Sequence, residues 1–228
     1  SSSKASTRPV APVSLVEALE EEGIASNPVL ADWYRARKSQ YAPTGYQIKD
    51  APWSDISSDA AIMNSLEEYN DAAIFVIKRI RGENTDVSFN EPTCDGEGGN
   101  YLGLNQNEKS VLNALSSMKG TTFGKIIVLL NTPNQVELAF LKEYDIDACL
   151  WIGSVGQTGF RGVSQIISGS TSPSGKLSDT FYYHHSDNPV MANWGSFTYA
   201  NYEDFLAELP SFGGKSYSSM QYASYVAY

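Results

Sequence analysis

The sequence predicts an α/β fold: a mostly parallel β-sheet sandwiched between helices. Three observations predict it. Three apolar runs, AAIFVI (72–77), KIIVLLN (125–131) and DACLWIG (147–153), are rich in β-formers and short for helices. Each is apolar on both faces, the pattern of strands buried between helical layers. Helical patterns alternate with them, and that alternation implies parallel strands joined by right-handed crossovers.

The elements follow in order. VSLVEALEEEG (13–23) carries Leu15, Val16 and Leu19 at helical spacing and stops at Gly23. In NPVLADWYRARKSQY, Asn27 is a suitable N-cap and Pro28 a tolerated first-turn residue. Val29, Leu30, Trp33 and Tyr34 then form one apolar stripe. After a loop (APTGYQIKDAPW), Ser58-Asp59 caps a third helix expected to run through Tyr69. Between and after the strands, helices are expected over 105–118, 134–144 and 156–169. The arrangement is a flavodoxin-like three-layer sandwich that looks incomplete at its first strand. Residues 1–12 read as a flexible arm or the scar of a cut, 13–200 as the sandwich domain and 201–228 as an irregular Tyr-rich extension, with FLAEL (205–209) as a short helix.

Composition narrows the function. A formal net charge of −10 argues against nucleic acid, because phosphate binding needs a basic face. It argues equally against an anionic membrane surface. No stretch approaches the ~20 apolar residues of a membrane span. The opening SSSKASTRPVAP has no apolar signal core, and the compartment stays open. Of the two cysteines, Cys149 lies in an apolar run and reads as core, while Cys94 lies in a Gly-rich loop. Neither requires a disulfide, and no zinc-type spacing occurs. His184 and His185 are adjacent and read as surface loop residues.

The chemistry-bearing stretch follows the first strand. In open parallel sheets, ligands gather outside the carboxyl ends of the strands. The connection from Lys78 to Leu104 exceeds the roughly 12–15 residues beyond which structureless loops are uncommon. It holds Glu83, Asp86, Glu91, Asp95 and Glu97 with Arg79 and Arg81. Such carboxylates can act as general acid or base, ligate a cation or bind sugar hydroxyls, and a solvated acidic loop has the same composition. DGEGG (95–99) lacks the alternating ligands of a calcium loop, so no metal is expected. GSVGQTG (153–159) lacks a phosphate-loop Lys and the full dinucleotide fingerprint, so no cofactor is expected. Its glycines suit a tight strand-to-helix turn.

Five blocks in order carry a resemblance: AAIFVIKRIRGENTD, YLGLNQNEKSVL, KIIVLLNTPNQVEL, DACLWIGSVGQTGF and SGSTSPSGKLSDTF. Together they resemble the carboxy-terminal α/β-sandwich domain of glycoside hydrolase family 3, over about residues 13–200. The family implies retaining hydrolysis of β-linked glucosides or xylosides by two carboxylates. One is an Asp nucleophile on a separate (β/α) barrel. The other is the acid/base Glu of an R-x-S-G-E-G-x-D loop. Carried over, that Glu is Glu83, with Arg79 as the Arg and Asp86 as the Asp, both expected to bind substrate or hold the loop. Two departures stand out. Arg81 and Asn84 flank Gly82-Glu83 where the family has Ser and Gly, and a cation so near would lower the acid's pKa. Glu97 is therefore a rival acid/base. In the later turn, Val155-Gly156-Gln157 replaces Pro-Gly-Gln.

The barrel nucleophile follows a Ser/Thr-Asp-Trp pattern. Asp32-Trp33 mimics it but sits mid-helix, which makes Trp33 core and Asp32 surface. A barrel needs about 200 residues of its own, so the chain is expected to be an excised piece, inactive alone. The competing expectations are a non-catalytic carbohydrate-binding or interaction module and a nucleotide-binding domain. The missing phosphate fingerprint counts against the second.

Overall fold

The computed structural model describes residues 10–81, 87, 100–189, 191, 196–197 and 220–221. It divides into two compact units, one ending at Phe181 and one beginning at Tyr182. In the first unit, β1 (Ala72–Lys78), β2 (Lys125–Asn131) and β3 (Ala148–Trp151) form a parallel sheet in the order β1-β2-β3. Ala73 pairs with Ile126, Phe75 with Val128 and Ile77 with Leu130. Val128 in turn pairs with Cys149 and Leu130 with Trp151. Residues two apart share a sheet face, so this register puts all of them on one side.

Helices cover that side. Seven are described: α1 (Leu15–Glu21), α2 (Pro28–Ala36), α3 (Trp53–Ser57), α4 (Ala60–Ser65), α5 (Gln106–Met118), α6 (Phe140–Glu143) and α7 (Phe160–Ser168). Trp33, Ile56, Ile62, Leu66, Val111 and Leu115 pack with Ala73 and Ile126 at the amino ends of the strands. Leu112, Val136 and Phe140 pack with Ile77, Val128 and Leu130 at the carboxyl ends. Leu129, on the opposite face, is fully buried too, so both faces of the sheet are covered. Cys149 is a free thiol, half-buried against the second cluster, and burial pushes its pKa up to about 11. Leu112 ties α5 to the sheet and is 1% exposed. Leu112→Ala should therefore cost about 2–5 kcal/mol, read as a lower denaturation midpoint with an unchanged denaturant slope.

The helix starts have local causes. Ser14 and Glu17 form a capping box on α1, and the Asn27 side chain accepts from Leu30 N–H at 3.2 Å on α2. Pro28 is the first residue of α2, as its sequence position predicts. Trp33 is buried and the Asp32 side chain exposed, as expected for a mid-helix pair. Gly153 and Gly156 take φ of 58° and 65° in the turn from β3 to α7. A Cβ on Gly159 would sit 2.2 Å from the Val155 carbonyl oxygen, so that turn closes only with glycine.

Several expectations need correction. The third helix does not reach Tyr69: Asp59 caps α4, which ends at Ser65, and a separate α3 begins at Trp53 within the expected loop. The helix over 134–144 shrinks to α6, because Val136 is drawn into the core and Glu137 N–H donates to the Leu102 carbonyl at 2.7 Å. Tyr34 leaves the apolar stripe and is 42% exposed, with its ring edge-on to Trp33. In the second unit, His185 is buried while His184 is exposed. His184 precedes and His185 begins a short 3₁₀ turn (His185–Asp187), in which neighbouring side chains diverge by about a third of a circle. That unit also holds a two-residue antiparallel ladder, β4 (Ser196–Phe197) with β5 (Met220–Gln221). The helix expected at 205–209 lies outside the described residues.

Among the described residues, β1 pairs only with β2, so its outer edge carries no strand. A cleft of about 520 Å³ is lined by Ile74, Phe75 and Val76 together with Tyr34, Tyr41 and Asp50. Consecutive strand residues point to opposite faces, so a cleft touching all three follows the strand's edge.

Candidate functional site

The carboxyl end of β1 opens into the long connection, and its last residues build a tight polar cluster. Lys78 Nζ lies 3.2 Å from Asp50 and also donates to the Lys49 carbonyl. Arg79 turns inward and is 3% exposed. Its guanidinium meets the Glu108 carboxylate with both arms, at 2.7 and 2.9 Å. The remaining N–H groups reach the carbonyls of Lys78, Tyr101 and Gly103. All five guanidinium donors are thereby used. Burial alone would pull the Arg79 pKa down. The Glu108 charge, its hydrogen bonds and Asp50 outweigh burial and raise it above the usual arginine value.

Glu108 serves two structures at once. It closes the capping box of α5, accepting from Asn105 N–H at 2.9 Å while the Asn105 side chain accepts from Glu108 N–H at 2.8 Å. The same carboxylate neutralises Arg79. The Asn105 and Asn107 amides extend the cluster to the Asp50 side chain and carbonyl. The start of α5 is thus bolted to the end of β1.

Tyr101 completes the closure. It is 1% exposed. Its hydroxyl accepts from Ile80 N–H at 2.9 Å and faces the Ile80 and Tyr46 carbonyls at 2.8 and 2.9 Å. Arg79 Nε donates to the Tyr101 carbonyl at 2.8 Å. Entry (79–80) and exit (101–103) of the connection are therefore held together as a closed neck at the sheet rim. The Arg81 guanidinium lies 4.7 Å from the ring centroids of both Tyr46 and Tyr101. Cation–π attraction of this kind holds the arginine at the neck.

Of the sequence-predicted site residues, Arg79 is in the neck, saturated by protein groups. Glu83, Asp86 and the rival Glu97 lie outside the described residues. Sequence reasoning missed Tyr101, Glu108 and Asp50. The Asn-x-x-Glu spacing of 105–108 was a readable helix-start signal, but nothing local marks Glu108 as the partner of Arg79 or Tyr101 as buried. Among the described residues no group of three or more His, Cys, Asp and Glu could hold a metal ion.

The other strand ends complete the rim. Thr132 follows β2 fully buried, and its hydroxyl donates to the Asn134 carbonyl at 2.6 Å. Trp151, the last residue of β3, donates its indole N–H to the Thr132 carbonyl at 2.9 Å and packs against Phe181.

Comparison with known proteins places this architecture. The family model of the glycosyl hydrolase family 3 C-terminal domain matches residues 4–225. A β-glucosidase of Ruminococcus albus is 32% identical over 145 residues, 63% of this chain and 14% of that protein. β-Glucosidase A of Butyrivibrio fibrisolvens is 31% identical over 170 residues, 66% of this chain and 20% of that protein. Among solved structures, β-glucosidase 3B of Thermotoga neapolitana in complex with glucose superposes with a TM-score of 0.63 at 27% identity. That match covers 82% of this chain and 26% of the other. A β-glucosidase from Paenibacillus barengoltzii shares the fold, with a TM-score of 0.65 at 24% identity over 81% of this chain and 20% of its own. The chain thus spans between 14% and 20% of the curated relatives it matches. With its parallel sheet and ordered sequence blocks, the chain belongs to the glycosyl hydrolase family 3 C-terminal domain family.

Proposed function

We propose that this chain is the sandwich domain of a retaining β-glycosidase acting on terminal β-linked glucosides or xylosides, and that Glu83 is its acid/base. The nucleophile, in this reading, is an Asp on a barrel domain joined to the chain in the whole polypeptide. The observation that carries the proposal is the closed neck at the carboxyl end of β1. It stands at the rim where α/β sheets bind ligands. The motif residues Glu83 and Asp86 follow it in the sequence.

The chemistry asks for one such group. A glycosidic oxygen leaves poorly unless protonated as its bond breaks. Glu83 donates that proton while the barrel carboxylate attacks the anomeric carbon. The resulting carboxylate then removes a proton from water, which attacks the glycosyl–enzyme ester and regenerates both groups. Asp86 is proposed to bind the sugar. Arg79, with its donors committed to the protein, is proposed to act by holding the loop.

The test uses the polypeptide that joins this chain to its barrel, with Glu83 or Glu97 replaced by Ala. Azide needs no base to attack the glycosyl–enzyme and can occupy the space vacated by a carboxylate. Added azide should restore turnover of dinitrophenyl glycosides by Glu83→Ala and yield the β-glycosyl azide. Rescue of Glu97→Ala instead would move the role to Glu97. Full activity in both variants would leave the chain a non-catalytic module.

A further inference from the structure

We propose that the outer edge of β1 docks one further β-strand, apolar along its length and acidic at its flank, supplied by the part of the polypeptide outside this chain. The inference rests on the reading of the chain as one domain of a longer protein, and on no claim about Glu83.

The backbone points to it first. Lys78 pairs with Asn131, and Arg79 N–H donates to the Asn131 carbonyl at 3.3 Å, the last rung of the β1–β2 ladder. Backbone groups along a strand face alternate sides, so the amides of Ile77 and Phe75 also face β2. Those of Ile74 and Val76 face the cleft. Among the described residues, nothing donates to or accepts from these two outward backbones.

The sequence of the strand points the same way. Natural sheet edges are blunted by charge, proline, a bulge or short length. β1 has seven residues in unbroken register and neither charge nor proline before Lys78, whereas β3, at the other edge, has four residues. Ile74, Phe75 and Val76 are only half-buried, while Val128 and Leu129 of the middle strand are fully buried. An edge with no protective device needs permanent cover, which a covalently joined segment gives and a transient partner does not.

The cleft sets the chemistry of the occupant. Its floor offers Ala51, Phe75 and Val111 to apolar side chains. Its rim carries Lys38 and Lys49, and among the described residues neither has an acid within ion-pair reach. A second copy of this chain fits worse, because joining two β1 edges would bring two such basic rims together. The curated relatives have the chain to spare, since this one spans 14% and 20% of them.

Amide hydrogen exchange tests the proposal on this chain and on the full-length polypeptide. In the chain, Ile74 and Val76 should exchange fast, while Phe75 and Ile77 exchange slowly and show that the sheet is folded. In the full-length polypeptide, Ile74 and Val76 should slow by at least about 100-fold. Replacing Lys38 and Lys49 together by Glu should then speed them about 2- to 10-fold, as two surface attractions become repulsions. Equal rates at Ile74 and Val76 in the two polypeptides would overturn the inference. Protection in the chain alone that grows with concentration would overturn it too, making a second copy the occupant. An unchanged rate in the double variant would rule out an acidic strand. Azide rescue at Glu83 is untouched by any of these results, so the two proposals fail separately.

Discussion

Replacing Arg79 with methionine should destabilise the chain by about 3–5 kcal/mol, the usual cost of removing one partner of a buried ion pair. The reason lies in what remains. Glu108 stays 1% exposed with its counter-charge gone, and three carbonyls lose a donor. Adding Glu108→Gln to the variant should recover part of the loss. The amide is neutral and keeps an oxygen for the Asn105 N–H. Denaturant titrations of the three forms measure all of this. Strict additivity of the two substitutions would mean that the pair does not couple.

The second large effect is on rate. In the barrel-joined polypeptide, Glu83→Gln should slow hydrolysis of alkyl glycosides by about 10²–10⁴-fold, the usual worth of a positioned general acid. The amide is nearly isosteric and uncharged, but it has no proton to give. Dinitrophenyl glycosides should lose far less in the glycosylation step, because their leaving group is stable as an anion. A ratio of losses near unity would place Glu83 outside the proton transfer. Comparing both substrates in one preparation removes errors in the active fraction.

The strands were the most legible part of the fold. AAIFVIK, KIIVLLN and ACLW are apolar on both faces, and no exposed alternative suits such runs. Helix starts with a side-chain cap were equally plain: Asn27 before Pro28 and Asp59 before Ala60 both cap as their positions suggest. Where tertiary contacts compete with local preference, the sequence misleads. Residues 134–139 have a helical pattern, yet Val136 gains more by entering the core and Glu137 by pairing with Leu102. Within the site, the charged run after β1 was legible as a polar stretch at a strand's carboxyl end. It did not reveal that Arg79 is buried against Glu108 while Arg81 lies over two tyrosines, because both follow the last residue of β1, where no strand period sets direction. The partners of Arg79 stand 22 and 29 positions along the chain, and only folding brings them together.

The most direct measurement of the central claim is the pH dependence of kcat/KM for an alkyl glycoside, with Glu83 intact and as Gln. A general acid must be protonated to act, so activity should decline on the alkaline side as Glu83 loses its proton. The account predicts that this alkaline limb disappears in Glu83→Gln, leaving a low rate governed only by the acidic limb. An alkaline limb that persists at the same midpoint in the variant would contradict it.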